Sequence, residues 1–426
     1  MNHLGVKLAL IRPKFRRVET LKPEGLTAAR KPFIPHIGFP LVQKRCRTSF
    51  VSRIKTSRNS SKISWDQHPI IVRDACACSM CVDPHSGQKN FKTTDIPLNI
   101  EVGNMELHED SLIVKWINDI PGFQSHKSII PLKSLRATPD DSCNHLQDTT
   151  PSTWDARTMQ QVMPSIRFDF TQYTSGSKTF HEAIRSIKRW GIVFLTGVPE
   201  CEEAVEKIAR LIGPLRNTFY GKTWDVVSMK QAKNVAYTDK YLGLHQDLLY
   251  METPPGLQLL HCLKNDCVGG ESLFCDAFKV AGQLSASDYD ILSKEKIHYH
   301  YEKAGESYQH SHLVLEANPE DQKKTDGVRM PSVVNYSPPF QAPFALNFHH
   351  SSFKNFVRSL GRFAQEVESP KNVIKYKLMS GECVIFNNRR ILHGRESFEL
   401  QAGKKRWLKG CYLDSDVFLS RSRLVH

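Results

Sequence analysis

The spacing of apolar residues changes character along the chain, and the change divides it. Residues 98–102 and 111–116 are short runs rich in apolar and β-branched side chains, which predicts two strands in a small module over residues 66–134. Residues 135–157 are rich in Pro, Asp, Ser and Thr and poor in apolar side chains, the pattern of a linker. Beyond it, residues 179–190 repeat apolar positions at helical spacing and run directly into the apolar stretch 191–196, a buried strand. Residues 202–212 and 352–365 have the same helical spacing. Between and after them lie many short strand candidates: 235–237, 256–262, 272–275, 333–336, 345–348, 373–377, 383–386 and 406–413. Short strands with polar turns and helices outside them predict a mainly β fold with flanking helices, a jelly-roll-like barrel over residues 158–426.

Charge refines this division. The formal charge of the 426 residues is +14. Residues 1–65 contain fifteen Lys and Arg against Glu19 and Glu24 alone, so the rest of the chain is near neutral at +1. A neutral body gives no footprint for a phosphate backbone, and no nucleic-acid partner is expected. The basic, Ser-containing, acid-poor leader matches a mitochondrial transit peptide, with Cys46-Arg47-Thr48-Ser49-Phe50 placed near a processing site. The alternative is a disordered basic tail that stays attached, in which case the protein is cytoplasmic. No run of eighteen apolar residues occurs, so no membrane span is expected. Eleven cysteines, eight of them scattered, point to a reducing compartment. Cys76, Cys78 and Cys81 are clustered and supply three soft ligands, one short of a tetrahedral zinc site.

Candidate chemistry lies in Leu244-His245-Gln246-Asp247. Alternation along a strand puts His245 and Asp247 on one face. Two histidines and one carboxylate on one side of a metal form the facial triad of non-haem Fe(II) oxygenases, and His393, in Ile391-Leu392-His393-Gly394-Arg395, is the candidate for the third position. His108-Glu109-Asp110 has the same spacing but a polar setting. Arg406 follows His393 on a strand and offers a guanidinium fork suited to the distal carboxylate of a keto-diacid. Tyr220, Trp224, Tyr237 and Tyr412 are aromatic residues whose faces attract poorly hydrated cations.

With these residues, from about 73 to 424, the chain resembles the gamma-butyrobetaine hydroxylase and trimethyllysine hydroxylase family. The matching segments run in order: Phe219-Tyr220-Gly221-Lys222-Thr223-Trp224, Asn234-Val235-Ala236-Tyr237-Thr238, Leu244-His245-Gln246-Asp247 and Pro254-Pro255-Gly256-Leu257-Gln258. They continue through Leu260-His261-Cys262, Gly269-Gly270-Glu271-Ser272, Asn388-Arg389-Arg390-Ile391-Leu392-His393-Gly394-Arg395 and the 406–412 strand. The resemblance implies a double-stranded β-helix with Fe(II) on His245, Asp247 and His393. It implies 2-oxoglutarate as co-substrate on Arg406 and Ser272, with ascorbate as reductant and oxygen as oxidant. It implies a quaternary ammonium substrate held by Tyr220, Trp224, Asn234, Tyr237 and Tyr412, and a homodimer. The cysteine cluster becomes a structural Zn(II) site in a small N-terminal β domain, completed by His126, with His85 and His108 as rivals.

Two positions depart from butyrobetaine hydroxylases: Leu248 stands where an aromatic residue follows the ligand aspartate, and His349 stands where an asparagine lies near the substrate carboxylate. Leu248-Leu249-Tyr250 is similar to the trimethyllysine enzymes. The reading is hydroxylation of gamma-butyrobetaine to L-carnitine, with trimethyllysine or another quaternary amine as the alternative substrate. A catalytically inactive zinc-binding interaction protein is the alternative from another class.

Overall fold

In the computed structural model, the described residues are 55–56, 63–64, 68–131, 151–176, 178–227, 238–317, 329–344 and 350–425. The leader, apart from two short strand pieces, and most of the 135–157 linker lie outside them. So do Asn234, Tyr237, His349 and the expected strands at 235–237 and 345–348. The chain divides into two compact units, Met1–Arg136 and Ala137–His426.

The N-terminal unit is built on a three-stranded antiparallel sheet, Glu101–Leu107, Ser111–Ile117 and Ser128–Pro131. The first strand begins three residues later than the apolar run 98–102 suggests, because residues 98–100 form a turn. Its side chains are mostly exposed, so the strand is held by backbone pairing more than by apolar pattern. Leu112, Val114 and Trp116 alternate inward from the central strand, onto Ile130, Val72 and Phe91. Arg73 is fully buried here, its guanidinium 2.7 Å from Asp119 and lying over the rings of Phe91 and Phe123. So few apolar residues make a thin core for an independent module, the situation in which a metal staple contributes most.

The C-terminal unit contains two antiparallel sheets. The larger has the order Arg167–Asp169, Ile192–Thr196, Glu382–Asn387, Leu257–Asn265, Arg406–Leu413, Thr223–Val227, and only its first pair is parallel. The smaller has the order Val373–Tyr376, Ser272–Asp276, Ile391–Arg395, Leu242–His245. Phe194 and Phe386 of the larger sheet meet Phe274 and His393 of the smaller with ring centroids 5.0–6.2 Å apart. The two sheets therefore share one interior, as the double-stranded β-helix expectation requires.

Helices Lys178–Trp190 and Glu203–Ile212 bury one face each, through Phe180, Ala183, Ile184 and Ile187 and through Val205, Ile208 and Ile212. The buried pair Arg390–Asp276 ties the start of this unit to the barrel. Arg390 donates to both Asp276 oxygens and to the Ser152 carbonyl, while Asp276 accepts from the Trp154 backbone. A hairpin, Lys296–Lys303 with Glu306–Leu313, is not among the expected strands. Among the described residues no helix is long and apolar enough to cross a membrane.

Candidate active site

His245 is the last residue of its strand, and Asp247 lies beyond it in a turn. The two-residue offset still brings both side chains to one side, with His245 Nε2 and Asp247 Oδ1 in contact distance. Immediately after Asp247 the backbone turns, with Leu248 in the left-handed region at φ 62° and buried. A branched residue there stores about 1–3 kcal/mol of strain and needs surroundings that hold it. Those surroundings are specific. Asn388 accepts from the Asp247 N–H at 3.0 Å and donates to the carbonyls of Asp247 and Pro255 at 3.1 and 3.2 Å. Gln246 is bracketed by Tyr336, whose N–H donates to the Gln246 side chain at 2.9 Å while its carbonyl accepts from the Gln246 N–H at 3.0 Å. This use of its backbone goes with the early end of strand Pro331–Val334, short of the expected 333–336.

His393 pairs directly across from His245 in the smaller sheet, and their rings lie 4.3 Å apart. Nε2 of His245 is 3.3 Å from Asp247 Oδ1, and Nε2 of His393 is 3.9 Å from the same oxygen. The three ligand atoms lie within 4.8 Å of one another, a spacing that can hold one metal ion. The His245 Nδ1 lies 2.8 Å from the Gly243 carbonyl, which fixes the tautomer that leaves Nε2 as ligand. Burial pushes the His393 pKa down to about 3, so the ring is a neutral donor at physiological pH. Burial alone would raise Asp247. The two imidazoles and a hydrogen bond from the Tyr412 hydroxyl, 2.7 Å from Oδ2, instead hold it below the carboxylate range. Tyr412 thereby ties back one carboxylate oxygen and leaves Oδ1 toward the histidines. His108 and Asp110, the rival pair, are exposed at the turn between two strands of the N-terminal unit.

A cleft beside the triad is lined by His245, Asp247 and His393, by Arg406, Ser272 and Gln258, and by apolar residues including Leu242, Leu260 and Leu408. Arg406 is 5% exposed, and burial lowers its pKa below the ordinary guanidinium value. Its neighbour Arg395 is committed to the carbonyls of Thr238 and Lys240 at 2.7 and 2.6 Å. Arg406 thus faces a cleft with apolar walls, which suits one carboxylate at the end of a short aliphatic chain.

The expected aromatic residues go to different places. Trp224 lines the cleft and packs on Tyr412, ring centroids 5.1 Å apart. It fits because Gly410 pairs with it across the sheet; a Cβ there would lie 2.4 Å from the indole. Tyr412 sits behind Asp247. Tyr220 joins a cluster with Phe219, at 4.1 Å, and Tyr301, at 6.4 Å, and hydrogen-bonds the buried Tyr250. Phe340 connects that cluster to His245, 5.4 Å from Tyr250 and 6.5 Å from the imidazole. Asn388, Gln246 and Gln258 carried no role in the sequence reading. Their only signal was membership of the matching segments.

In the N-terminal unit, Cys76, Cys78, Cys81 and His126 present ligand atoms within 4.8 Å of one another. His126 Nε2 is 3.4 Å from Cys81 Sγ and 4.0 Å from Cys76 Sγ. Its Nδ1 lies 2.9 Å from the Phe123 carbonyl and 3.0 Å from Asp119 Oδ2. Such a backing carboxylate orients a metal-ligating histidine. Burial and the adjacent Cys76 push the Cys81 thiol up to about 12. His85 and His108, the rivals of His126, are not in this cluster.

A buried two-histidine, one-carboxylate triad with a guanidinium across an apolar cleft defines a non-haem iron, 2-oxoglutarate-dependent oxygenase. Residues 149–412 match the family described as Taurine catabolism dioxygenase TauD, TfdA family, and the chain belongs to it. It is 32% identical over 372 residues to Dioxygenase str8 of Strobilurus tenacellus, covering 83% of this chain and 84% of that protein. To Gamma-butyrobetaine dioxygenase of Pseudomonas sp. (strain AK-1) it is 28% identical over 388 residues, 90% of this chain and 96% of that one. To the human protein named Trimethyllysine dioxygenase, mitochondrial, it is 28% identical over 403 residues, covering 87% and 89%.

Proposed function

We propose that this dioxygenase hydroxylates a small molecule bearing a trimethylammonium group, gamma-butyrobetaine first, giving L-carnitine. The observation that carries the reading is Trp224, whose large aromatic surface lines the same cleft as the metal triad and Arg406. A ring face there suits a quaternary ammonium that water solvates poorly. The relatives named for gamma-butyrobetaine and trimethyllysine support the same substrate class.

In this reading His245, Asp247 and His393 hold Fe(II), and the donor set fits it: two imidazoles, one carboxylate and an open face. Iron so bound supplies the redox chemistry that couples decarboxylation of 2-oxoglutarate to succinate with hydroxylation of a C–H bond. The remaining work belongs to the protein. Arg406, with Ser272 beside it, pairs with the distal carboxylate, and Leu242, Leu260 and Leu408 exclude water around the methylenes. Tyr412 holds Asp247 to a single ligating oxygen. Trp224 orients the cation so that one carbon faces the iron, and Asn234 and Tyr237 complete the substrate contacts.

Zn(II) on Cys76, Cys78, Cys81 and His126 closes the N-terminal unit as a structural site, since four protein ligands leave no open position. Ascorbate serves as reductant. The protein acts in mitochondria, as the name of the human relative indicates for that protein, and as a homodimer. Trimethyllysine is the second reading, favoured by Leu248-Leu249-Tyr250. The inactive-module alternative sits poorly with a convergent triad and a buried Arg406.

The deciding experiment incubates Fe(II)-loaded protein with 2-oxoglutarate, ascorbate and either amine, and follows the hydroxylated product by mass spectrometry. Product from gamma-butyrobetaine in preference to trimethyllysine supports the first reading. The reverse preference moves the assignment to trimethyllysine, and product from neither refutes both.

A further inference from the structure

Gln258 lies at the centre of the larger sheet, paired in register with Phe386 on one side and Tyr412 on the other. It lines the cleft and is 1% exposed. Its Nε2 lies 3.5 Å from Nε2 of His393, and its Oε1 has no hydrogen-bond partner. The 3.5 Å contact is at the limit of a hydrogen bond, so this buried amide N–H is weakly satisfied where it stands and is available to a better acceptor.

The chemistry of His393 says which ligand. A histidine that binds metal through Nε2 keeps its proton on Nδ1, so Nε2 presents a lone pair and the facing amide group is the N–H. When the lone pair goes to a metal, that N–H loses its acceptor. The nearest replacement is an anionic oxygen arriving beside His393, and the co-substrate brings one at its keto-acid end.

The geometry points to Gln258 as a positioning residue for 2-oxoglutarate, donating from Nε2 to the carboxylate next to the keto group. Arg406 holds one end of the diacid and Gln258 orients the other. The same residue makes 2-oxoglutarate binding depend on metal occupancy beyond simple chelation, because only a metal-loaded His393 releases its amide. The proposal rests on the assignment of iron to the triad and of the distal carboxylate to Arg406.

The test is calorimetric titration of the full chain with 2-oxoglutarate, with and without Mn(II), which accepts the same nitrogen and oxygen ligands. The proteins compared are wild type, Gln258→Met, which keeps length and volume without the donor, and Gln258→Asn, which keeps the amide but withdraws it. With Mn(II), both variants should bind 2-oxoglutarate about tenfold to a hundredfold more weakly than wild type, the range for a hydrogen bond to a charged group. Without Mn(II) they should match wild type, since Arg406 alone then carries the affinity. Mn(II) affinity and melting temperature should be unchanged in at least one of the two. An equal loss with and without Mn(II) means a structural role and overturns the proposal, as does no loss in either state. If Mn(II) does not tighten 2-oxoglutarate binding to wild type, the assignment of the triad itself fails, and Gln258 with it.

Discussion

Replacing Asn388 by alanine should damage the metal site without touching a metal ligand. The side chain is fully buried and makes three hydrogen bonds, all to backbone on either side of the Leu248 bend. The substitution strands the Asp247 N–H and leaves two carbonyls short of a donor. At about 1–3 kcal/mol for each stranded buried group, and with partial relaxation, the loss is roughly 3–5 kcal/mol. At about 2–4 °C per kcal/mol for a unit of this size, the melting temperature should fall by roughly 10 °C. A second effect is local. The strain at Leu248 is then free to relax, and Asp247 turns away from His245 and His393. Iron affinity should drop by about tenfold to a hundredfold, or roughly 1.4–2.8 kcal/mol. The control is Asn372→Ala, because Asn372 is equally buried but its side chain bonds to Glu366, outside the site. Both variants are melted by calorimetry and titrated with Fe(II) anaerobically against a competing chelator. If iron affinity falls no further in Asn388→Ala than in Asn372→Ala, Asn388 does not position Asp247 and the reasoning is wrong.

Three other outcomes follow from the same geometry. Tyr412→Phe removes the hydroxyl on Asp247 Oδ2 and should weaken Fe(II) binding by about tenfold while leaving the fold intact; unchanged affinity would show that this bond does not orient the carboxylate. Chelation of zinc, or Cys81→Ser, should unfold the N-terminal unit, read as lost protection of residues 111–117 in hydrogen exchange, and unchanged protection would rule out a structural metal. Acid should destabilise the C-terminal unit through His261, which is buried with neither ring nitrogen hydrogen-bonded and whose pKa burial pushes down to about 4 from 6.5. The unfolded chain takes up that proton first, so the stability is complete above about pH 6.5 and lost as the pH falls toward 4. His261→Leu should flatten this part of the pH–stability curve by about 2–3 kcal/mol, and an unaltered curve would remove His261 from the account.

Much of the fold was legible because its pattern is local. The Arg406–Leu413 strand has the bounds expected for it, and helix Lys178–Trp190 runs into Ile192–Thr196 as the apolar spacing indicates. The first strand of the hairpin Lys296–Leu313 does alternate, with Ile297, Tyr299 and Tyr301 buried between polar neighbours, but on its partner the more buried face carries Tyr308, His310 and His312 and shows no apolar pattern. The triad residues were legible as a set, and the two-residue offset of His245 and Asp247 goes with side chains that meet. What no local spacing announces is the left-handed turn at Leu248 just after Asp247, or that Asn388, 141 residues away, holds the Asp247 backbone there. Aromatic residues are harder still. Sequence spacing could not show that Tyr412 would spend its hydroxyl on Asp247, that Tyr220 would turn to Phe219 and Tyr250, or that Gly410 would make room for Trp224.

The most direct test of the whole account is oxygen consumption by the Fe(II)-loaded protein with 2-oxoglutarate and gamma-butyrobetaine, run beside Asp247→Ala and Arg406→Ala. Wild type should consume oxygen and release succinate and L-carnitine in equal amounts. Asp247→Ala should do neither, and Arg406→Ala should recover only at much higher 2-oxoglutarate. Equal turnover by wild type and Asp247→Ala would contradict the assignment of the site.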